Sequence, residues 1–154
     1  MTRTTAREIA IQLGFAASAT GEAPQDILDR FFEPAHYESL AQEDALYSQL
    51  PDEKQMEYIA RLVTLIDEHR EEIDDQIRRY AKGWKVERIS RTALAVLRTA
   101  LCEILYMDDI PDAAAINEAV ELAKGYDEPD TVAFVNGVLG SFARGELTPA
   151  PEEA

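Results

Sequence analysis

Apolar residues along this chain recur at spacings of three and four, and this spacing constrains the fold more than any other feature. The clearest run comprises Ile89, Ala93, Val96, Leu97, Ala100, Leu101, Ile104 and Leu105. Such spacing places the side chains on one face of an α-helix. No stretch alternates apolar and polar residues for long, as a half-buried strand would. We therefore predict an all-α fold.

The same pattern predicts about seven helices. They are expected near residues 5–18, 24–32, 90–107, 111–124 and 130–143, with residues 53–81 forming two helices that break at the charged run 67–72. Residues 33–52 are rich in Glu, Asp, Gln and Ser, and they contain Pro34 and Pro51. We predict loop there, with at most a turn of helix.

Length and composition predict one domain. The 154 residues, of which 46% are hydrophobic, suffice for a single buried core. We expect the domain to span residues 1–145, as sub-bundles of about 1–82 and 83–145 packed side by side. The acidic, proline-containing end, 146–154, is predicted to be a flexible tail.

Charge is distributed unevenly. The chain has a net charge of −15, which by itself argues against a nucleic-acid partner. Residues 76–98, however, hold seven basic side chains and one acidic side chain, a net of +6. One interpretation is an anion-binding face on an acidic molecule. The other is that Arg78 to Arg98 pair with nearby carboxylates.

Chemistry-bearing motifs are missing from the sequence. We find no catalytic constellation, phosphate-binding glycine loop, metal-ligand set or cofactor motif, and no membrane span. The single cysteine, Cys102, suits a reducing compartment. Residues 1–20 have no clean apolar centre, so a retained amphipathic helix is favoured over a signal peptide. We expect a cytoplasmic protein that is not an enzyme.

Two segments near the end of the chain carry Asn and Gly within apolar helical stripes. They are 115–124, AINEAVELAK, and 134–139, FVNGVL. Both residue types weaken a helix interior, so each needs a packing or recognition role. We predict that Asn117 satisfies buried backbone groups between helices and that Gly137 and Gly140 permit close helix packing. For Arg98 and Glu118, a structural polar pair is one of the interpretations left open.

These segments, together with others in a fixed order, resemble the NusB family of bacterial transcription antitermination factors. The other matching pieces are AREIAIQ at 6–12, Ile73-Asp74, Trp84, Arg88-Ile89, Leu94 to Arg98, Glu103-Ile104-Leu105 and Ile110-Pro111. The resemblance covers about two thirds of the chain. It implies an all-helical fold of two small bundles.

The resemblance also implies a function. Family members bind the boxA element of ribosomal RNA leader transcripts as a heterodimer with the ribosomal protein NusE, within an antitermination complex on RNA polymerase. Single-stranded RNA is held by cations on phosphates and by aromatic rings under bases. The residues expected to supply these contacts are Arg3, Arg7, Lys85, Arg88, Arg91, Tyr126 and Phe134. For Phe134, a place in the core is the competing interpretation. Formation of a homodimer is left open.

Two other functions compete with this one. The chain could be an interaction module of the same fold that has lost RNA binding and acts through protein contacts or self-association. Its reduced basic charge favours that alternative, since Thr4 and Thr5 stand where the family often has consecutive cations. The helical domain of ribosomal RNA cytosine methyltransferases shares the fold, but no residues remain here for a domain that binds the methyl donor.

Overall fold

Eight α-helices make up the computed structural model, which describes residues 1–85, 88–126 and 129–147. In chain order they are α1 (Arg3–Thr20), α2 (Pro24–Phe31), α3 (Pro34–Glu43), α4 (Glu53–Glu68), α5 (Arg70–Tyr80), α6 (Arg91–Tyr106), α7 (Asp112–Lys124) and α8 (Pro129–Phe142). A 3₁₀ turn at Ala45–Tyr47 and a π-helical turn at Ala143–Leu147 complete the secondary structure. No strand occurs within these residues, so the predicted all-α class is confirmed.

Short polar side chains fix where the helices begin. The Thr2 hydroxyl caps α1, the Ser90 hydroxyl caps α6, and Asp52 and Gln55 form a reciprocal capping box at the start of α4. Each cap satisfies backbone N–H groups that have no partner within the helix. The break between α4 and α5 falls at His69, as predicted, and the His69 ring stacks on Tyr106 with 3.9 Å between ring centroids.

Helix α3 contradicts the prediction of loop for residues 33–52. Pro34 occupies its first turn, where a missing N–H costs nothing. The Glu33 carboxylate accepts hydrogen bonds from the backbone N–H groups of Ala35 (3.2 Å) and His36 (2.9 Å). A polar composition that suggested loop is therefore the exposed surface of a capped helix, whose one fully buried side chain is Tyr37.

Helix α6 is the centre of the fold. It contacts α1, α4, α5, α7 and α8. A helix surrounded in this way must be apolar on several faces, and α6 accordingly buries Ala93, Val96, Leu97, Ala100, Leu101 and Cys102. The buried residues form one continuous cluster that extends from α1 to α8. None of the helices in the described ranges is long and apolar enough to cross a membrane.

The two predicted boundaries meet different outcomes. Helix α5 contacts α6 and α8 as well as α4, so packing is continuous across residue 82; the division into sub-bundles stays a prediction. Residues 146 and 147 belong to the π-helical turn rather than to a tail, and the Tyr80 hydroxyl donates to the Glu146 carboxylate at 2.6 Å. The rest of the predicted tail, 148–154, lies outside the described residues.

Candidate nucleic-acid interface

Three arginines of the basic segment, residues 76–98, form ion pairs within the protein. The guanidinium of Arg78 lies 2.6 Å from the Asp75 carboxylate, and Arg79 lies 3.1 Å from Glu146. Arg98, less exposed than either, pairs with Asp74 through two hydrogen bonds of 2.9 and 2.8 Å. For these three arginines, the interpretation that they pair with nearby carboxylates is correct.

Three cations of the segment have a different environment. Lys82, Lys85 and Arg88 are exposed, and within the described residues none of them forms an ion pair. The backbone N–H of Arg88 donates to the Lys85 carbonyl at 2.8 Å. This hydrogen bond keeps the backbones of Lys85 and Arg88 close together just before α6.

Two aromatic rings lie beside these cations. Trp84 is 56% exposed and meets Phe134 of α8 edge to face, with ring centroids 5.2 Å apart and planes at 63°. Phe134 is half-buried, so neither of its two predicted roles excludes the other. We call Trp84, Lys85, Arg88 and Phe134 the cation–aromatic patch. Sequence reasoning did not select Trp84, although a lone tryptophan inside a basic run was a usable signal.

A hollow of about 210 Å³ opens beside the two rings of the patch, which contact each other. It is lined by Trp84, Arg88, Ile89, Ser90, Ala93, Asp130, Thr131 and Phe134. Ile89 also lines a second, larger groove of about 440 Å³ between α1 and α6. The two depressions therefore share the Ile89 side chain just before α6.

Arg91 lies in the larger groove. Its guanidinium carbon is 4.6 Å from the centroid of the Phe15 ring, a cation–π contact that leaves the side chain exposed. Ile11, Ile66 and Leu94 supply an apolar floor. This groove combines apolar surface with positive charge.

Tyr126 lies at a separate place. It is half-buried, with its hydroxyl in a hydrogen bond with Gln12 of α1, and burial raises the pKa of that hydroxyl. Gln12 precedes Phe15 by about one helical turn. Neither Tyr126 nor Gln12 lines the groove or the hollow, so the structure does not bring Tyr126 together with the other predicted RNA contacts.

The structure separates Arg3 from Arg91, which lies over Phe15. The guanidinium carbon of Arg3 lies 4.3 Å from the Tyr58 ring centroid. Arg3 and Phe15 are twelve residues apart on α1, which corresponds to about 18 Å along the helix. The exposed Arg3 could meet a phosphate only at the far end of an extended strand.

Arg7 does not fit the role predicted for it. Its side chain is only 5% exposed, and its Nε–H donates to both carboxylate oxygens of Glu103, at 2.7 and 2.9 Å. Tyr58 also donates to this carboxylate, and burial raises the pKa of the Tyr58 hydroxyl. We call Arg7, Tyr58 and Glu103 the buried ion cluster. A guanidinium enclosed in this way has no face for RNA, so we leave Arg7 out of the interface.

Two predictions about the segments 115–124 and 134–139 are wrong, and so is the interpretation that Arg98 pairs with Glu118. Arg98 pairs with Asp74, whereas Glu118 lies 3.7 Å from Arg7 and accepts from the Thr4 hydroxyl at 2.7 Å. Asn117 is exposed on α7, so it does not satisfy buried backbone groups. Gly137 faces open space: a Cβ there would meet no atom within 4 Å. Asn117 and Gly137 therefore lie on the outer surface of α7 and α8.

This all-helical fold is seen in solved structures of antitermination factors. A structure of NusB from T. maritima superimposes with a TM-score of 0.75 at 30% identity, covering 94% of this chain and 92% of that one. A complex of NusB and NusE with double-stranded RNA contains a chain with a TM-score of 0.71, covering 93% of this chain and 96% of its own. At 22% identity, that likeness concerns the fold alone.

Sequence comparison names the family. The NusB family matches residues 4–144. The transcription antitermination protein NusB of Clostridium botulinum (strain Kyoto / Type A2) is 36% identical over 142 residues, which cover 92% of this chain and 99% of the relative. The one from Symbiobacterium thermophilum is 41% identical over 149 residues, covering 94% and 91%. The chain belongs to the NusB family.

Proposed function

We propose that this chain is a cytoplasmic transcription antitermination factor that binds boxA-type leader RNA together with the ribosomal protein NusE, as part of an antitermination complex on RNA polymerase. It acts by binding and not by catalysis. The observation that carries the proposal is membership of the NusB family over residues 4–144. Relatives that cover more than nine tenths of both chains support the same role.

The cation–aromatic patch supplies the physical means. Phosphate contacts provide most of the affinity of a protein for a flexible single strand, and aromatic rings add stacking that tolerates many sequences. Lys85 and Arg88 have no competing carboxylate among the described residues, and Arg91 lies a turn further on. A strand that follows these cations would cross the hollow beside Phe134 and continue toward the larger groove.

NusE makes a large contribution to affinity in this proposal. With Arg7 buried, the start of α1 offers the RNA only Arg3, and three arginines of the basic segment are already paired. Few phosphate contacts mean weak binding by the chain alone. The apolar part of the larger groove gives the fold a surface suited to a protein partner.

Binding to a fluorescent boxA-type oligonucleotide, measured by anisotropy with and without NusE, tests the proposal. We expect weak binding alone and at least about tenfold tighter binding in the ternary complex, equivalent to about 1.4 kcal/mol. The variant Lys85→Ala/Arg88→Ala should lose RNA affinity. The matched control, Arg30→Ala/Lys54→Ala, removes the same charge elsewhere on the surface and should not.

Two results would contradict the proposal. Equal, tight RNA binding with and without NusE would remove the dependence on the partner. Binding of NusE without any RNA affinity, at any salt concentration, would favour the competing function of a protein-interaction module.

A further inference from the structure

Trp84 is the most exposed large aromatic side chain of the described residues, and it is the only tryptophan in the chain. Burying such a ring would stabilise the fold by about 1.5–3 kcal/mol or more, so an exposed one needs a reason. A turn holds it outward: Gly83 has a φ of +81°, and the Trp84 N–H donates to the Ala81 carbonyl at 3.0 Å. The ring position is thus defined by the backbone.

We propose that Trp84 and Phe134 form a subsite for a single unstacked base, with Arg88 and Lys85 holding the adjoining phosphates; the proposal rests on the RNA-binding function proposed above. Trp84 is 56% exposed and lines the hollow together with Phe134, so part of the indole surface is open to a base. Every base has a π face, and stacking on protein rings recurs in single-strand recognition.

The shape of the hollow suits one flat ring system. Its volume is about 210 Å³, and its lining includes the apolar side chains of Ile89 and Ala93. Two rings and an apolar floor would enclose a base on three sides. The ribose and phosphates would then remain outside, at the rim.

The charges at the rim orient the strand. Arg88 and Asp130 both line the hollow. The Asp130 carboxylate repels phosphate, whereas Arg88 and the neighbouring Lys85 attract it. The backbone of the strand would therefore pass on the side of the two cations, and the base would point inward against the rings. An acidic peptide would use the two cations but not the rings, and an apolar protein segment would use the rings but not the two cations.

The single tryptophan makes the subsite directly observable. Titration with a boxA-type oligonucleotide should change the emission of Trp84 in a saturable way, with the same midpoint as the anisotropy of the labelled RNA. An RNA of equal length and unrelated sequence, at the same ionic strength, is the control for nonspecific quenching.

Variants and abasic RNAs separate stacking from a structural role. Trp84→Ala should weaken RNA binding by about 5- to 100-fold, the range for one stacked base, and Trp84→Phe should recover most of it. Removing single bases from the RNA in turn should weaken binding to the wild-type chain strongly at one position. Removing that same base should have no further effect on Trp84→Ala. Leu50→Ala, which truncates another exposed apolar residue, should bind as the wild type does.

The failures are distinguishable. RNA binding without an emission change, with Trp84→Ala binding normally, overturns the subsite and leaves the proposed function standing. Loss of NusE binding rather than RNA binding in Trp84→Ala also overturns it, because the hollow would then be a protein contact. If no RNA binds the wild-type chain, with or without NusE, both proposals fall. Thermal unfolding of each variant shows whether the fold is retained.

Discussion

The buried ion cluster and the cation–aromatic patch use the same kinds of side chain for opposite ends. In the cluster, the guanidinium of Arg7 is enclosed and spends its donors on Glu103. In the patch, Arg88 is exposed and has no carboxylate partner among the described residues. The comparison shows that a basic side chain indicates a ligand-binding site only when the fold places no carboxylate beside it. Charge counted along a sequence does not make that distinction.

The largest expected effect concerns the stability of the buried ion cluster. Glu103→Gln removes the charge that compensates Arg7 in the core, and breaking such a pair costs about 3–5 kcal/mol. Urea unfolding followed by circular dichroism measures the loss. Arg88→Ala, the matching change in the patch, should alter the free energy of unfolding by no more than about 0.5 kcal/mol. Similar losses in the two variants would erase the comparison.

Cys102, next to Glu103 in sequence, reports how closed that region is. Burial raises the pKa of its thiol to about 12. Since only the thiolate reacts, we expect thiol reagents at pH 8 to label the native chain more than about 1,000-fold more slowly than the urea-unfolded chain. Absorbance with a chromogenic disulfide gives both rates. Labelling of native protein as fast as a free cysteine would show that the core around α6 opens readily.

Salt dependence sharpens the contrast from the side of RNA. For a single strand, each neutralised phosphate contributes about 0.7 to the slope of log affinity against log salt. Lys85→Ala/Arg88→Ala should therefore flatten the slope by about 1.4. The apolar pair Arg7→Met/Glu103→Met should leave the slope as in the wild type, because Arg7 contacts no phosphate. A flatter slope in that pair would return Arg7 to the interface.

The smallest effect is expected at a surface pair. The Tyr80 hydroxyl, with help from Arg79, holds the pKa of the Glu146 carboxyl below its usual value. A lowered carboxyl pKa means that this contact stabilises the fold above the usual pKa of a glutamate and is lost as the pH falls through the lower, folded-state value. Titration followed by nuclear magnetic resonance should show a higher pKa for the Glu146 carboxyl in Tyr80→Phe than in the wild type. The Glu121 carboxyl is the control, and its titration should be the same in both proteins.

Periodicity allowed most of the fold to be predicted, because helices that pack on a common core must repeat apolar residues every three or four positions. The range of α6 and the break at His69 both follow from it. The range of α3 did not follow from periodicity, because this helix buries little beyond Tyr37. Its start depends on a cap by Glu33, in a sequence that resembles a loop. Short, exposed helices leave too weak an apolar pattern to detect.

The site was less predictable than the fold, for a reason of distance. Arg7 and Glu103 are 96 positions apart, and Arg79 and Glu146 are 67 apart. No local pattern reveals which cation meets which acid across such separations. The positions of Lys85 and Arg88 before α6 were foreseeable, whereas the pairing of Trp84 with Phe134 required the packing of α8 beside that turn.

The pairing of Arg7 with Glu103 also sets an order of folding events while the chain is being synthesised. During synthesis the carboxylate that accompanies Arg7 arrives 96 residues later, roughly 5–20 s at ribosomal rates. Until then, burying the charged Arg7 side chain would leave it without its carboxylate partner. We therefore expect α1 to stay exposed to solvent on the growing chain. The core can close around it only once most of α6 has emerged.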